Sequence, residues 1–368
     1  MVSKARQLAQ SASAPEGRKN IITNGAMQAA QRSTSVAGIG ATDGAAYHTV
    51  DRFNVSVNGL ADGSNSGGRF TMSQDSDSPD GFANSLKFDC TTAQTTLDAD
   101  DFIWFQTRIE GQDLQRFAKG TSSAKNFTLS FYVKANSART MVAELFDADN
   151  TRAVSRTFTT TTGWSRIEID FGADTTGAFG DDNALSLYCA IWLAAGSTYS
   201  GGTLQTSWVS STAANRAAGS SNFLSSTDNT LFITGMQLEV GSVATEFEHR
   251  SFGEELALCQ RYYHTTDHIA GSTAHAAHIL GVFTTIRGFF GIDVPVAMRA
   301  TPSVSMAGSI VLRTPDLTTE GTLSSVSYYA NLNNTRFVLD VAFSTSTADT
   351  FREISIGSNG AFLFDAEL

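Results

Sequence analysis

The sequence is poor in the residues that build stapled scaffolds or charge-driven interfaces. Among its 368 residues are 3 cysteines, 5 prolines and 17% charged side chains, well under the roughly 25% charged of an average soluble protein. Cys90, Cys189 and Cys259 are too few for a disulfide framework and too far apart for a zinc site. Cys90 and Cys189 fall at alternating apolar positions and read as buried free thiols, with a Cys90–Cys189 bridge as the alternative. An odd count suits assembly in a reducing cytoplasm. Scarce proline and only 31 glycines exclude collagen-like and proline-rich linker readings. Lys and Arg number 25 against 36 Asp and Glu, a formal net charge of −11. That argues against a nucleic-acid partner, because such binding draws its affinity from neutralised phosphates. No apolar run approaches the ~18 residues that span a bilayer, so no membrane insertion is expected. Met1 to Asn20 is polar and lacks the apolar stretch of a secretory signal.

What the chain has is strand after strand. Phe127, Leu129, Phe131 and Val133 alternate with Thr128, Ser130, Tyr132 and Lys134, a period of two with one buried face. Leu86, Phe88 and Cys90 repeat the pattern, as do Ile167, Ile169 and Phe171, then Leu185 through Leu193, then Phe232 through Val240. Gly, Ser, Asn and Asp clusters between them mark turns. Half-buried strands without intervening helices predict an all-β antiparallel β-sandwich. Gly196 to Ser226 is small and polar and reads as an extended loop with little to fill a core. Ser251 and Glu254 form a capping box, and Phe252, Leu256, Cys259 and Tyr263 give an apolar stripe, predicting a helix from about Gly253 to His264. After it, Phe337 through Phe343, Ile354, Ile356, Phe362 and Phe364 alternate again and predict a second, smaller β-sandwich. The expected organisation is a segment over 1–20, a sandwich over 21–250, helix and linker over 251–278, and a C-terminal sandwich over 279–368.

Trp104, Trp164, Trp192 and Trp208 are candidates for stacking on a sugar ring, against the reading that each is core. Trp104 lies among Asp98, Asp100, Asp101, Gln106 and Arg108, the best local mix of aromatic and polar groups, and Trp192 has the parity to point outward. Trp104, Gln106, Arg108, Trp192 and Trp208 are therefore the candidate binding residues. Asp75, Asp77 and Asp80, and again Asp98, Asp100 and Asp101, offer oxygen ligands to a structural calcium, as do Asp147-Ala-Asp149-Asn150 and Asp181-Asp182-Asn183. The competing reading is a set of solvated turns. His264 and His268, four residues apart with His275 and His278 nearby, are the other metal candidates, against a polar linker that carries histidine. There is no His-Glu-x-x-His, no Gly-x-Ser-x-Gly and no phosphate-binding loop, and no enzyme activity is expected.

Three segments resemble a family of bacteriophage tail-fibre and virion surface proteins with a domain like a carbohydrate-binding module. They are Asn20-Ile-Ile-Thr-Asn-Gly-Ala-Met-Gln-Ala-Ala-Gln-Arg32 with Asp51-Arg-Phe53, then Gly235 to Phe252 running into Glu254-Glu-Leu-Ala-Leu-Cys-Gln-Arg-Tyr-Tyr263, and Val294 to Ser303. The resemblance implies a jelly roll, a homotrimer, and contact with host surface polysaccharide. It also implies that residues 1–20, including Lys4, Arg6 and Leu8, dock on other tail or virion proteins. A structural calcium is a frequent companion of such modules. The expected product is a tail-fibre or receptor-binding subunit, made in the host cytoplasm and carried on the virion. A decoration protein without glycan binding is the alternative, and a polysaccharide depolymerase is less expected because no short β-helix rung repeats here. On physical grounds Asn24, Gly25, Met27 and Gln31 should pack a first strand under the sheet. Glu239-Val240-Gly241 should end the last strand, and Phe247 and Phe252 should seat the chain before the helix.

Overall fold

A computed structural model describes residues 18–61, 67–266, 274–284, 287–313, 319–344, 351–356 and 360–368. The candidate residues Lys4, Arg6, Leu8 and His268 lie outside the described residues, as do the side chains of His275 and His278. The chain forms two units. One comprises the N-terminal residues to Ala26, Ala37–Ala46 and Asn54–His249; the other comprises Met27–Val36, Tyr47–Phe53 and Arg250–Leu368.

The first unit holds β1 (Ser35–Ile39), β2 (Gly44–Tyr47), β3 (Phe53–Asn58), β4 (Arg69–Asp75), β5 (Ser85–Thr92), β6 (Phe102–Glu110) and β7 (Phe127–Ala135). They are followed by β8 (Thr140–Asp147), β9 (Arg152–Thr159), β10 (Ser165–Asp170), β11 (Leu185–Ala195), the short helix α1 (Ser197–Ser200), β12 (Val209–Ser210) and β13 (Thr230–Val240). One sheet runs β1-β4-β5-β13-β7-β10 and the other β12-β9-β8-β11-β6-β3-β2. Counting β5 to β11 and β13 as eight strands, the first pairs with the last, the second with the seventh, the third with the sixth and the fourth with the fifth, all antiparallel. That wrapping is a jelly roll.

Alternation of side chains along each strand puts Phe70, Phe88, Leu129, Phe131, Val133 and Ile233 of one sheet inside. Phe105, Ile109, Leu145, Phe158, Leu187 and Ile191 of the other meet them there. Phe88 and Phe105 meet across the gap at 5.3 Å, and Phe131 and Phe158 at 5.1 Å. Burying each such ring contributes roughly 2–3 kcal/mol before entropy is charged. Cys90, Cys189 and Cys259 are all buried free thiols.

The N-terminal block is not the expected strand. Residues 18–30 are turn and irregular chain that follow a bulge in β13 between Thr234 and Gln237. Ile21 N–H bonds Leu238 O at 3.0 Å, and Met236 N–H bonds Gly25 O at 2.9 Å. A Cβ at Gly25 would stand 2.1 Å from Met236 O, so this approach requires glycine. Gly241, at φ 133°, ends β13 as expected.

The second unit holds α2 (Phe252–Gln260), β14 (Tyr263–Thr265), β15 (Ala274–Thr284), β16 (Arg287–Asp293), β17 (Ser303–Ala307) and β18 (Ile310–Arg313), then β19 (Thr319–Asn331), β20 (Arg336–Phe343), β21 (Phe351–Ile356) and β22 (Ala361–Asp365). The predicted second sandwich takes the form of a closed barrel, β15-β16-β20-β19-β18-β21, with a three-stranded sheet, β14-β22-β17. Period-two alternation is shared by both architectures, so it does not show closure; closing the sheet leaves no barrel edge to protect. Phe290, Ile292, Phe337, Leu339, Val341 and Phe364 fill this core.

The capping box forms as read: Ser251 Oγ accepts from Glu254 N–H, and Ser251 N–H donates to the Glu254 carboxylate at 3.0 Å. The helix ends at Gln260, four residues short of the prediction, because Tyr263–Thr265 pairs with β22 instead. Phe252, expected to seat the chain, is 56% exposed; Glu255 and Cys259 are the buried residues of this helix. Phe247 does pack, 5.0 Å from Phe82.

Residues 27–36 and 47–53 belong with this second unit. Gln31 Nε2 donates to Asp51 Oδ2 at 2.8 Å and to Tyr263 O at 2.9 Å. Arg32 pairs with Asp365 at 3.0 Å and Glu367 at 3.4 Å, and Arg52 pairs with the other Glu367 oxygen. Arg299 N–H bonds Arg261 O at 2.8 Å, and its Nε bonds Ala366 O at 2.9 Å. Residues from all three of the resembling segments therefore meet in one network.

Candidate functional site

The outer face of the seven-stranded sheet differs from an ordinary wet strand face. With Ile103, Phe105 and Ile109 turned inward, the same strand must turn Phe102, Trp104, Gln106, Arg108 and Glu110 outward. Register then sets three rows across β6, β11 and β8: Arg108–Tyr188–Phe146, Gln106–Ala190–Glu144 and Trp104–Trp192–Val142. Ser155 of β9 continues the middle row.

Aromatic rings dominate the face. Trp104 lies 4.8 Å from Trp192 and 6.3 Å from Tyr188, the latter at an interplanar angle of 24°. Tyr188 lies 5.8 Å from Phe146. Residues 196–218 fold over the Trp104–Trp192–Val142 row: Tyr199, Leu204 and Ala217 pack on Val142 and Trp192. Ala217 N–H bonds Tyr199 O at 2.9 Å, and Ser155 N–H bonds Gln205 O at 2.8 Å. Trp192 thus faces outward, as its parity predicts, yet is fully buried, while Trp104, Tyr188 and Phe146 remain partly open.

Glu144 sits at the centre with no exposure. Arg216 Nε and Nη2 bind its two oxygens at 2.9 and 2.8 Å, and Trp192 Nε1 donates to it at 3.1 Å. The Arg216 guanidinium lies 4.5 Å from the Trp104 ring and 4.7 Å from Phe146. Gln106 Nε2 donates to Asn54 Oδ1 at 3.3 Å and Ser56 Oγ at 3.2 Å. Beside these satisfied groups, Trp104 Nε1, Gln106 Oε1, Ser155 Oγ and Gln205 Nε2 are buried atoms without a protein hydrogen-bond partner. Leaving such atoms unpaired costs about 1–3 kcal/mol each.

The structure brings Trp104, Gln106, Arg108 and Trp192 together but not Trp208. Trp208 is buried against Phe127 at 5.4 Å, and its Nε1 bonds Gly172 O at 3.3 Å. Trp164 donates instead to Asp77 Oδ1 at 3.0 Å. Sequence reasoning missed Tyr188, Phe146, Glu144, Ser155, Gln205 and Arg216. Tyr188 shares the parity of Trp192 and was within reach; Gln205 and Arg216 arrive through a loop whose path has no period. That loop also buries Ala217, Phe223 and Leu224, more than its composition promised.

The acidic loops have other occupations. Asp77 pairs with Lys134 and its carboxylate accepts from Trp164 Nε1, while its backbone N–H donates to Asp75 Oδ1 at 2.8 Å; Asp80 is exposed. Asp101 is buried, accepts Asp98 N–H and Gln94 Nε2 at 2.8 Å each, and has its carboxyl pushed up by burial. Asp100 is exposed. His264 lies on β14 rather than on a helix, and burial lowers its imidazole to about 4; His268 is outside the described residues. Asp147 and Asp174 enclose Lys119, whose fully buried Nζ is 2.5 Å from Asp147 Oδ2 and 3.1 Å from Asp174 Oδ2. The same Nζ donates to the carbonyls of Thr176 at 2.9 Å and Gly177 at 2.6 Å. Among the described residues no three His, Cys, Asp or Glu side chains converge as metal ligands.

No protein-family model matches the sequence, and no curated protein is similar to it. Among solved structures, the chain is similar to the enzymatically active domain of tailspike protein 4 of bacteriophage CBA120, at 12% identity and TM-score 0.31 over 60% of this chain and 21% of that one. It is also similar to a CBM4 structure, at 14% identity and TM-score 0.30 over 60% of this chain and 99% of that one. A family 11 carbohydrate-binding module from Clostridium thermocellum, in complex with a mixed-linked tetrasaccharide, matches at 14% identity and TM-score 0.26 over 53% of this chain and 91% of that one. Likenesses this distant leave the function to be argued from the face itself.

Proposed function

We propose that the outer face of the seven-stranded sheet binds a glycan, and that the chain is a non-enzymatic virion protein attaching a phage tail or surface appendage to host polysaccharide. The observation that carries the binding is the cluster of half-open rings, Trp104, Tyr188 and Phe146, interleaved with the unpaired buried atoms of Trp104, Gln106, Ser155 and Gln205. A sugar offers a C–H face to the rings and hydroxyls, both donor and acceptor, to those atoms. The virion role is supported by the resemblance of the three segments that meet in the second unit. Weak single-site affinity becomes useful in a homotrimer through effective concentration.

A glycan array probed with the parent chain, Trp104→Ala and Tyr188→Ala tests the binding. Signal in the parent that falls in both variants, with unfolding midpoints retained, supports it; equal signal in all three sinks it. Light scattering tests the assembly: a trimer would weigh about 118 kDa, three times 39.2 kDa.

A further inference from the structure

We infer that the glycan taken by this face is an uncharged chain rather than an acidic one; this rests on the proposed glycan binding. Four ionisable side chains turn outward on these strands, Arg108 and Glu110 of β6, Glu144 of β8, and Arg216 from the covering loop, and their formal charges sum to zero. The two nearest the rings are committed to each other. Arg216 spends Nε and Nη2 on the two Glu144 oxygens, so it has no bidentate fork left for a sugar carboxylate or sulfate. An anion laid over Trp104 would approach the Glu144 carboxylate, which is buried and paired with Arg216.

The unspent groups are of the other kind. An indole N–H, two amide atoms and a hydroxyl are neutral donors and acceptors. They suit sugar hydroxyls, and outside the Arg216–Glu144 pair the cation of this face is Arg108, its guanidinium 5.6 Å over the Tyr188 ring and its charge balanced by Glu110 of the same strand. Asp98, Asp100 and Asp101 precede β6, and the whole chain carries −11, so long-range repulsion of a polyanion adds to the local mismatch. Charge balance across the face, and the committed ion pair at its centre, therefore favour an uncharged chain.

Affinity electrophoresis separates the outcomes, using gels loaded with neutral galactomannan, β-glucan or dextran, or with anionic polygalacturonate or alginate. The parent, Trp104→Ala and Tyr188→Ala are run in each, with thermal unfolding to confirm that the variants fold. Expected is retardation by at least one neutral polymer, lost at least about tenfold in the variants. It should change less than about twofold between low and high salt, since no ion pair is made. Retardation by the uronate polymers alone, lost in the variants and weakened by salt, overturns the uncharged class and keeps the face as the binding site. Retardation that survives both variants, or none in any gel, overturns this inference together with the binding on which it rests.

Discussion

The guanidinium of Arg52 lies over the ring of Tyr262, 3.4 Å from its centroid, and pairs with Glu367. Arg52 is 2% exposed and sits at φ 71°, a left-handed conformation that a bulky side chain adopts only when its surroundings hold it there. Arg32 repeats the stacking 3.6 Å from Tyr263. Two consecutive tyrosines at the end of α2 thus receive two arginines from the N-terminal segments.

Truncating Arg52 should be expensive. Arg52→Ala leaves Glu367, 5% exposed at its side chain, with Arg32 as its remaining partner, so the loss should lie between about 1 kcal/mol and the roughly 3–5 kcal/mol of an uncompensated buried charge. Urea unfolding should show the loss. A change under about 1 kcal/mol would mean the pair is exposed to water in solution. By the same logic, a fragment covering 250–368 alone should fail to give a cooperative transition, and adding a peptide of residues 27–53 should restore one.

Acid should pull on the second unit in two directions. Burial pushes the Asp51 carboxyl up to about 6 from 3.8, against hydrogen bonds from Gln31 and the charge of Arg32. Between those values the folded state holds a proton that the unfolded state has lost, so falling pH through that window favours folding through Asp51. His264 acts oppositely: its imidazole falls to about 4 from 6.5, so the unfolded state alone takes a proton there and falling pH costs stability. Asp51→Asn should therefore steepen the loss of stability from pH 6.5 to 4, and His264→Gln should flatten it. Urea titrations across that range check both slopes; variants that track the parent would refute the assignment.

Lys119 behaves as a cation tethered in a cage of two carboxylates and two carbonyls. Lys119→Ala should cost about 3–5 kcal/mol by leaving Asp147 and Asp174 buried together, although Arg152 still holds Asp174 at 2.8 Å. The vacated cage presents hard oxygen ligands, so millimolar calcium should recover part of the loss in the variant and leave the parent's midpoint unmoved. A variant that calcium does not help would show the cage too small or too rigid for a divalent ion.

The antiparallel sandwich was legible because burial enforces a period of two, and Phe127 to Val133 or Leu185 to Leu193 display it plainly; the jelly-roll order was only implied by the family resemblance. The capping box at Ser251 was legible for a similar reason, being local. The helix end was not, since Tyr263 obeys strand pairing with Asp365, about a hundred residues away. On the candidate face, β6 alone placed Trp104, Gln106 and Arg108 together. Glu144 and Arg216 could not be joined, because their 72-residue separation closes only in three dimensions. Trp208 misled because sequence neighbours do not distinguish a ring over a groove from one under a loop.

The distance along the chain between Arg52 and Glu367, 315 residues, is also an interval of time. At roughly 5–20 residues per second, a ribosome needs about a quarter of a minute to a minute to make what lies between them. Every strand from β4 to β13 is made within that interval, the last ending at Val240, while Arg52 has neither its carboxylate nor, for much of it, its tyrosine. A nascent chain of this protein thus carries Arg52 long before Glu367 exists. The Arg52–Glu367 pair can therefore form only after translation has passed residue 367.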